Sequence, residues 1–96
     1  MVKHVLLVKM KDNSFASCEK VRDLFLSMQD HIDFIRDIHV GIDFLHSDRS
    51  YDIVLELTVD SPDDLVRYQK DPYHVNHVKP YIHEVRSGSA TVDYEF

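Results

Sequence analysis

The chain opens with a regular alternation of side chains from Val2 to Lys11. This period of two residues is that of a β-strand, whose successive side chains point to opposite faces. One face would carry Lys3, Val5, Leu7, Lys9 and Lys11, and the other Val2, His4, Leu6, Val8 and Met10. Because both faces are apolar near the middle of the segment, we expect a central strand that is covered on both sides.

Three later segments predict three further strands, and the first two of them show the same alternation. The three segments are Ile35–His46, Tyr51–Val59 and Ala90–Phe96. Gly41 lies inside the first of them, where it indicates a bulge or a close backbone approach. The sequence HSDRS predicts a hairpin loop between the second and third strands, and Gly88 predicts a turn before the last strand.

The segment Ala16–Ile32 has a different period, typical of a helix with one buried side. Apolar residues recur at spacings of three and four, as a helix of 3.6 residues per turn requires. They are Cys18, Val21, Leu24, Phe25, Met28 and Ile32. Charged and polar residues fill the positions between them, so we expect this helix to pack on the sheet by one face only.

A second helical region follows the third strand. Ser61 has the side chain of an N-cap, and Pro62 occupies the first helical position, where its missing N–H costs nothing. Pro72 ends this helix, because the residue before a proline is displaced from helical angles. A second short helical piece then carries His74, and the break allows Tyr68 and His74 to approach each other.

The order of elements is strand, helix, strand, strand, helix, strand within one domain of residues 1–96. It predicts an α+β fold of the ferredoxin-like βαββαβ kind, a four-stranded antiparallel sheet with its helices on one face. The other face would expose Val5, Leu7 and Val54, an apolar patch that needs a cover. A second copy of the chain would provide it, so we expect a homodimer.

Composition narrows the classes of function. The formal net charge of −6 argues against nucleic acid as a partner. No apolar run approaches the ~20 residues of a membrane span, and no leader precedes the first strand. With a single cysteine, Cys18, these features lead us to expect a cytoplasmic protein. The seven histidines are spread along the chain and join no cysteine, so we expect neither a metal site nor a cofactor.

Three segments resemble the stress-responsive α/β-barrel family, whose members are dimeric α+β barrels. They are VKHVLLVKMKD, YDIVLELTVDSPDDLVRYQKDPYHV and TVDY. The element Tyr-x-x-x-Pro-x-His, formed by Tyr68, Pro72 and His74, is the most specific of the matches. The resemblance implies a ferredoxin-like protomer whose sheets pair face to face, with a separate pocket between sheet and helices in each protomer.

The element Tyr-x-x-x-Pro-x-His is similar to that of a plant member of the family that cyclises a polyketide by an aldol reaction. The resemblance implies that His74 is a base and Tyr68 its hydroxyl partner, in a pocket that includes His4. The chain departs from that enzyme at two places, with Ile53 in the position of a histidine and an aromatic pair reduced to Leu24 and Phe25. The expected substrate-binding residues are His4, Leu6, Leu24, Phe25 and Ile53.

We therefore expect the pocket to bind a small apolar carbonyl compound, and the protein, if it is an enzyme, to be a cyclase or isomerase that needs no cofactor. One alternative is a non-catalytic stress or ligand-carrier protein, and another is a monooxygenase acting with haem or a quinol. The residues alone also allow structural roles. His74 can cap the helix break, Tyr68 can be a core residue, and His4 can be a core histidine with one hydrogen bond.

Overall fold

The computed structural model describes residues 1–96, which form a four-stranded antiparallel sheet with its helices on one face. The strands are β1 (Val2–Met10), β2 (Asp37–Ile42), β3 (Ile53–Val59) and β4 (Arg86–Glu95). The helices are α1 (Phe15–His31), α2 (Pro62–Lys70) and α3 (Lys79–Val85), and a π-helical turn, His74–Val78, leads into α3. The sheet order is β2-β3-β1-β4. The predicted α+β ferredoxin-like fold and the central place of β1 are confirmed.

The core lies between the inner face of the sheet and the helices. Val8 on β1 and Leu55 and Leu57 on β3 have no exposed surface. The predicted stripe of α1 faces them, with Cys18, Val21, Phe25 and Met28 buried. Burying such side chains contributes about 1.5–3 kcal/mol each, so this layer supplies most of the stabilisation available to a small domain. None of the helices is long and apolar enough to cross a membrane.

Polar side chains fix the beginnings of both long helices. The Ser14 hydroxyl accepts a hydrogen bond from the Ser17 N–H at 3.3 Å, and α1 starts at the next residue, Phe15. The Ser61 hydroxyl accepts one from the Asp64 N–H at 3.2 Å. Each contact satisfies an N–H that has no partner inside its helix. The N-cap predicted at Ser61 is confirmed.

The second strand is shorter than the predicted Ile35–His46 at both ends. Asp43 ends it, because its carboxylate accepts a hydrogen bond from the His46 N–H at 2.7 Å and curls the chain into the loop. His46 adopts the left-handed conformation, with φ 52°, which no strand residue adopts. The HSDRS loop itself is where it was predicted.

The turn predicted at Gly88 is wrong. The chain enters β4 at Arg86, immediately after α3, and Gly88 pairs with Lys9 inside the sheet. The next pair joins Met10 to Arg86, so Ser87 is an extra residue on β4 and forms a β-bulge. The last strand therefore begins four residues before the predicted Ala90–Phe96.

The outer face of the sheet has no covering layer in the protomer. Val5, Leu7 and Val54 lie there half-buried, and Val92 beside them is exposed. Gly41 pairs with Val54 in an unbroken register, and a Cβ at Gly41 would lie 3.1 Å from the Val54 Cγ1. The bulge predicted at this glycine is wrong, and the group that comes close to it is the Val54 side chain rather than another backbone.

A buried carboxylate joins the start of β3 to the end of β1. Asp52 is 5% exposed, and its Oδ2 accepts a hydrogen bond from the Met10 N–H at 2.7 Å. Its own N–H donates to the Val8 carbonyl at 2.9 Å. The strand predicted from Tyr51 begins only after this residue, at Ile53.

We predict that Asp52→Ala lowers the free energy of unfolding by about 1–3 kcal/mol, because it leaves the buried Met10 N–H without an acceptor. Asp52→Asn keeps an acceptor oxygen in the same place and should recover most of the loss. Urea denaturation of the three proteins measures both values. An alanine variant as stable as the wild type would show that this hydrogen bond contributes nothing.

Candidate active site

His74 lies at the start of a π-helical turn, and Pro80 explains why the turn forms there. In an α-helix the residue at position 80 would donate to the Asn76 carbonyl, but proline has no N–H and its ring would meet that oxygen. The chain instead widens by one residue, and the Lys79 N–H bonds to the His74 carbonyl five residues back. The predicted short helical piece after Pro72 is consequently longer, since it continues through α3 to Val85.

A cavity of about 330 Å³ lies between this helical segment and the inner face of the sheet. Five of the residues predicted for the site line it, namely His4, Leu6, Phe25, Tyr68 and His74. The remaining lining residues were not anticipated as site residues, and they are Gln69, Val78, Lys79, Ile82, His83, Arg86 and Ser89. Five of the 12 residues of its wall are therefore hydrophobic, and the other seven are polar or basic.

Two residues predicted to bind substrate lie elsewhere. Leu24 is half-buried and packs against the core without lining the cavity. Ile53 is 2% exposed and pairs with Val8 at the far end of β3. Both belong to the apolar layer that supports the sheet.

Tyr68 and His74 lie side by side, as predicted from the helix break. Their ring centroids are 4.4 Å apart and the planes are tilted by 31°. The Tyr68 hydroxyl, however, donates to the Met28 Sδ at 3.7 Å, and no hydrogen bond joins it to His74. Burial, with a smaller effect from the charge of Asp71, raises the pKa of this hydroxyl, so Tyr68 keeps its proton at neutral pH.

His74 is a half-buried imidazole whose Nδ1 is buried. Burial is the largest cause that lowers the pKa of His74, and the neighbouring Lys79 and His4 act in the same direction. A hydrogen bond to the Gln69 backbone and the charge of Asp71 act in the opposite direction and raise the pKa. The net shift is downward from about 6.5, so His74 is neutral at pH 7 and can accept a proton.

A second histidine of the cavity is oriented by a carboxylate. The His4 Nδ1 is bonded to the Asp93 Oδ1, and the ring lies 5.8 Å from that of Tyr68. His4 and Asp93 face each other across β1 and β4 in the strand register. Asp93 belongs to the TVDY segment, but its role was not anticipated, since only the pairing of the two strands reveals it. No group of three or more His, Cys, Asp or Glu residues is arranged to hold a metal ion.

The chain belongs to the family described as the stress responsive A/B barrel domain, whose model matches residues 2–96. Its fold is similar to that of a dimeric protein of unknown function from Bacteroides fragilis, with 28% identity over 99% of this chain and 95% of the other, at a TM-score of 0.84. An Arabidopsis thaliana protein has 24% identity, over 100% of this chain and 95% of the other, with a TM-score of 0.86. The hydroxynitrile lyase from Passiflora edulis has 16% identity to this chain, over 97% of this chain and 90% of the lyase, with a TM-score of 0.80. No curated protein sequence matches the chain.

We predict that the imidazole of His74 titrates below pH ~6.5 in the folded protein, because burial disfavours its charged form. Between the folded and unfolded pKa values the unfolded chain binds more protons, so this residue makes stability rise with pH up to about 6.5 and level off above. Imidazole NMR signals followed from about pH 5 to about pH 8 measure the midpoint.

The variant His74→Gln provides the matched control, because it cannot titrate. The gain in unfolding free energy between about pH 5 and about pH 8 should be smaller for this variant than for the wild type. Equal gains for the two proteins would contradict the depressed pKa.

Proposed function

We propose that the protein is an acid–base catalyst that removes a proton next to the carbonyl group of a small compound bound in the cavity. The observation that carries this proposal is the state of His74. It is an imidazole whose pKa burial lowers, so that it is neutral at pH 7, and it lines the cavity. A general base at neutral pH needs an unprotonated nitrogen, and an enzyme active site commonly supplies it by burial.

The reaction that fits is enolisation. His74 takes the α-proton, and the electron pair of that C–H bond moves to form a C–C double bond while the carbonyl π pair goes to oxygen. The resulting enolate needs a hydrogen-bond donor beside its oxygen. Return of a proton to a different atom gives isomerisation, and attack of the enolate carbon on a second carbonyl gives aldol closure.

Two groups are candidates for the donor. Tyr68 keeps its proton because its pKa is raised, and its present acceptor is a thioether sulfur, a weak one that a carbonyl oxygen could replace. His4 is held by Asp93, which fixes the orientation of the ring much as a carboxylate does for a catalytic histidine. We assign the base to His74 and the donor to Tyr68, with His4 as a further substrate contact.

The scaffold is compatible with catalysis, since a hydroxynitrile lyase has the same fold. The main rival is a non-catalytic carrier, and one observation favours it. The Tyr68 hydroxyl faces Met28 in the core, as expected of a structural tyrosine. A catalyst would transfer a proton through His74 and a carrier would not, so an assay of proton transfer distinguishes the two functions. An oxygenase acting with haem would instead shift and sharpen the Soret band of added haemin.

We predict that the wild-type protein accelerates exchange of α-hydrogens for deuterium in a panel of aryl methyl ketones and 3-oxo esters in D₂O. Replacing His74 by alanine should lower that rate about 10²–10⁴-fold, the usual contribution of a general base. Tyr68→Phe keeps the ring and removes only the hydroxyl, so a loss of rate there identifies the donor. Proton NMR of the ketone signals measures every rate.

The control is His39→Ala, which removes an exposed histidine of β2 outside the cavity. This variant should catalyse deuterium exchange at the wild-type rate. If the wild type and His74→Ala give the same rate of deuterium exchange for every ketone, the catalytic proposal is wrong and the carrier function takes its place. A Tyr68→Phe variant with full activity would restrict the mechanism to His74 and His4.

We further propose that the protomer forms a homodimer through the outer face of its sheet. The half-buried Val5, Leu7 and Val54, with the exposed Val92, form an apolar surface that water would otherwise cover. The Bacteroides fragilis protein of the same fold is dimeric. A cytoplasmic location stays a prediction, supported by the single, unpaired Cys18.

We predict that Leu7→Glu converts the dimer into monomers, since each copy would bury an unpaired charge in the interface. The expected rise in Kd is at least ~100-fold, corresponding to about 3 kcal/mol. Leu26→Glu adds the same charge on the exposed side of α1 and should leave the dimer intact. Light scattering during gel filtration gives both masses, and a dimeric Leu7→Glu variant would exclude this face.

A further inference from the structure

The cavity carries positive charge that the proposed proton transfer does not use. Lys79 and Arg86 line it, and none of its 12 lining residues is an aspartate or glutamate. The whole chain has the opposite balance, with 17 acidic residues against 11 lysines and arginines. The cavity is thus a local reversal of the charge of the protein, and such a site attracts anions.

The two permanent cations of the cavity have no acidic partner within the protein. Of the 11 lysines and arginines of the chain, Arg22, Arg36 and Arg67 form a salt bridge with a nearby carboxylate. Lys79 and Arg86 form none. Their charges therefore remain available to a bound group.

Arg86 is held in place at the wall of the cavity. Its Nη1 donates to the Ser89 Oγ at 2.6 Å, and its Nη2 lies 3.5 Å from the His83 Nε2. Both partners line the same cavity. A guanidinium fixed in this way has already lost part of its rotamer freedom, so a ligand that binds to it loses less free energy in ordering the side chain.

We propose that the cavity recognises a carboxylate through Arg86 and Lys79, and that the substrate is a small oxo-carboxylic acid. The proposal rests on the proposed function, since it names the substrate class of that site. The planar fork of Arg86 matches the two oxygens of a carboxylate, and Lys79 adds a point charge. The apolar residues of the wall, such as Leu6, Phe25 and Val78, accommodate the carbon skeleton.

Three matched aryl ketones test the proposal, namely 4-acetylbenzoate, 4-acetylbenzamide and 4-acetylphenyl phosphate. Their affinities come from NMR chemical-shift titrations of the intact protein. We expect the carboxylate to bind the wild type about tenfold more tightly than the amide, the effect of a hydrogen bond to a charged group. Arg86→Gln and Lys79→Gln should each weaken carboxylate binding about tenfold and leave amide binding unchanged.

Lys20→Gln is the control for net charge, because it removes one exposed cation of α1 outside the cavity. It should bind the carboxylate like the wild type. The proposal is overturned if the carboxylate does not bind, if acid and amide bind equally, or if the two cavity variants keep the preference. Tighter binding of the phosphate would overturn the choice of a carboxylate.

The same titration on His74→Ala separates this inference from the proposed function. That variant retains both cations, so it should keep the preference for the carboxylate. A preference that persists in a wild-type protein without deuterium exchange would support the anion site and contradict catalysis. Deuterium exchange of neutral ketones by a wild-type protein that binds acid and amide equally would support catalysis and contradict the anion site.

Discussion

Pro80 is the constraint on which the site depends. It can neither donate to the Asn76 carbonyl nor fit its ring beside that oxygen, so a regular α-helix cannot pass through this position. The π-helical turn solves the problem by adding one residue, and His74 is the first residue of that turn. The same turn ends in α3, which runs directly into β4. Pro80 thus accounts for the wider turn that carries His74.

Contacts on the other side keep the turn from moving. The Tyr73 hydroxyl shares a hydrogen bond of 2.7 Å with the Ser27 Oγ on α1, and the Tyr73 ring stacks on His31 at a centroid distance of 4.0 Å. The Asp71 carboxylate accepts a hydrogen bond from the Tyr73 N–H at 2.8 Å. Because the residue before His74 is fixed to α1, the backbone that carries the imidazole is held against that helix. Such support gives a catalytic group a defined position.

Local patterns allowed much of the fold to be predicted from the sequence. The apolar stripe of α1 and the Ser61 cap each depend on residues within a few positions, so spacing alone identifies them. The pairing of His4 with Asp93 depends on the β1–β4 register across 89 residues, which no local pattern contains. The direction of the Tyr68 hydroxyl is equally non-local, because packing against Met28 on another helix determines it. The Gly88 turn failed because a helix can pass into a strand without one.

The two halves of the site are coupled through charge. The positive charge of Lys79 is one of the causes, after burial, that lower the pKa of His74. A carboxylate bound to Lys79 would cancel part of that field, and the pKa of His74 would rise toward its ordinary value. By reciprocity, a protonated His74 would hold the anion more tightly. The base would therefore be strongest when an anionic substrate occupies the cavity, which joins recognition of the ligand to the chemistry we propose for it.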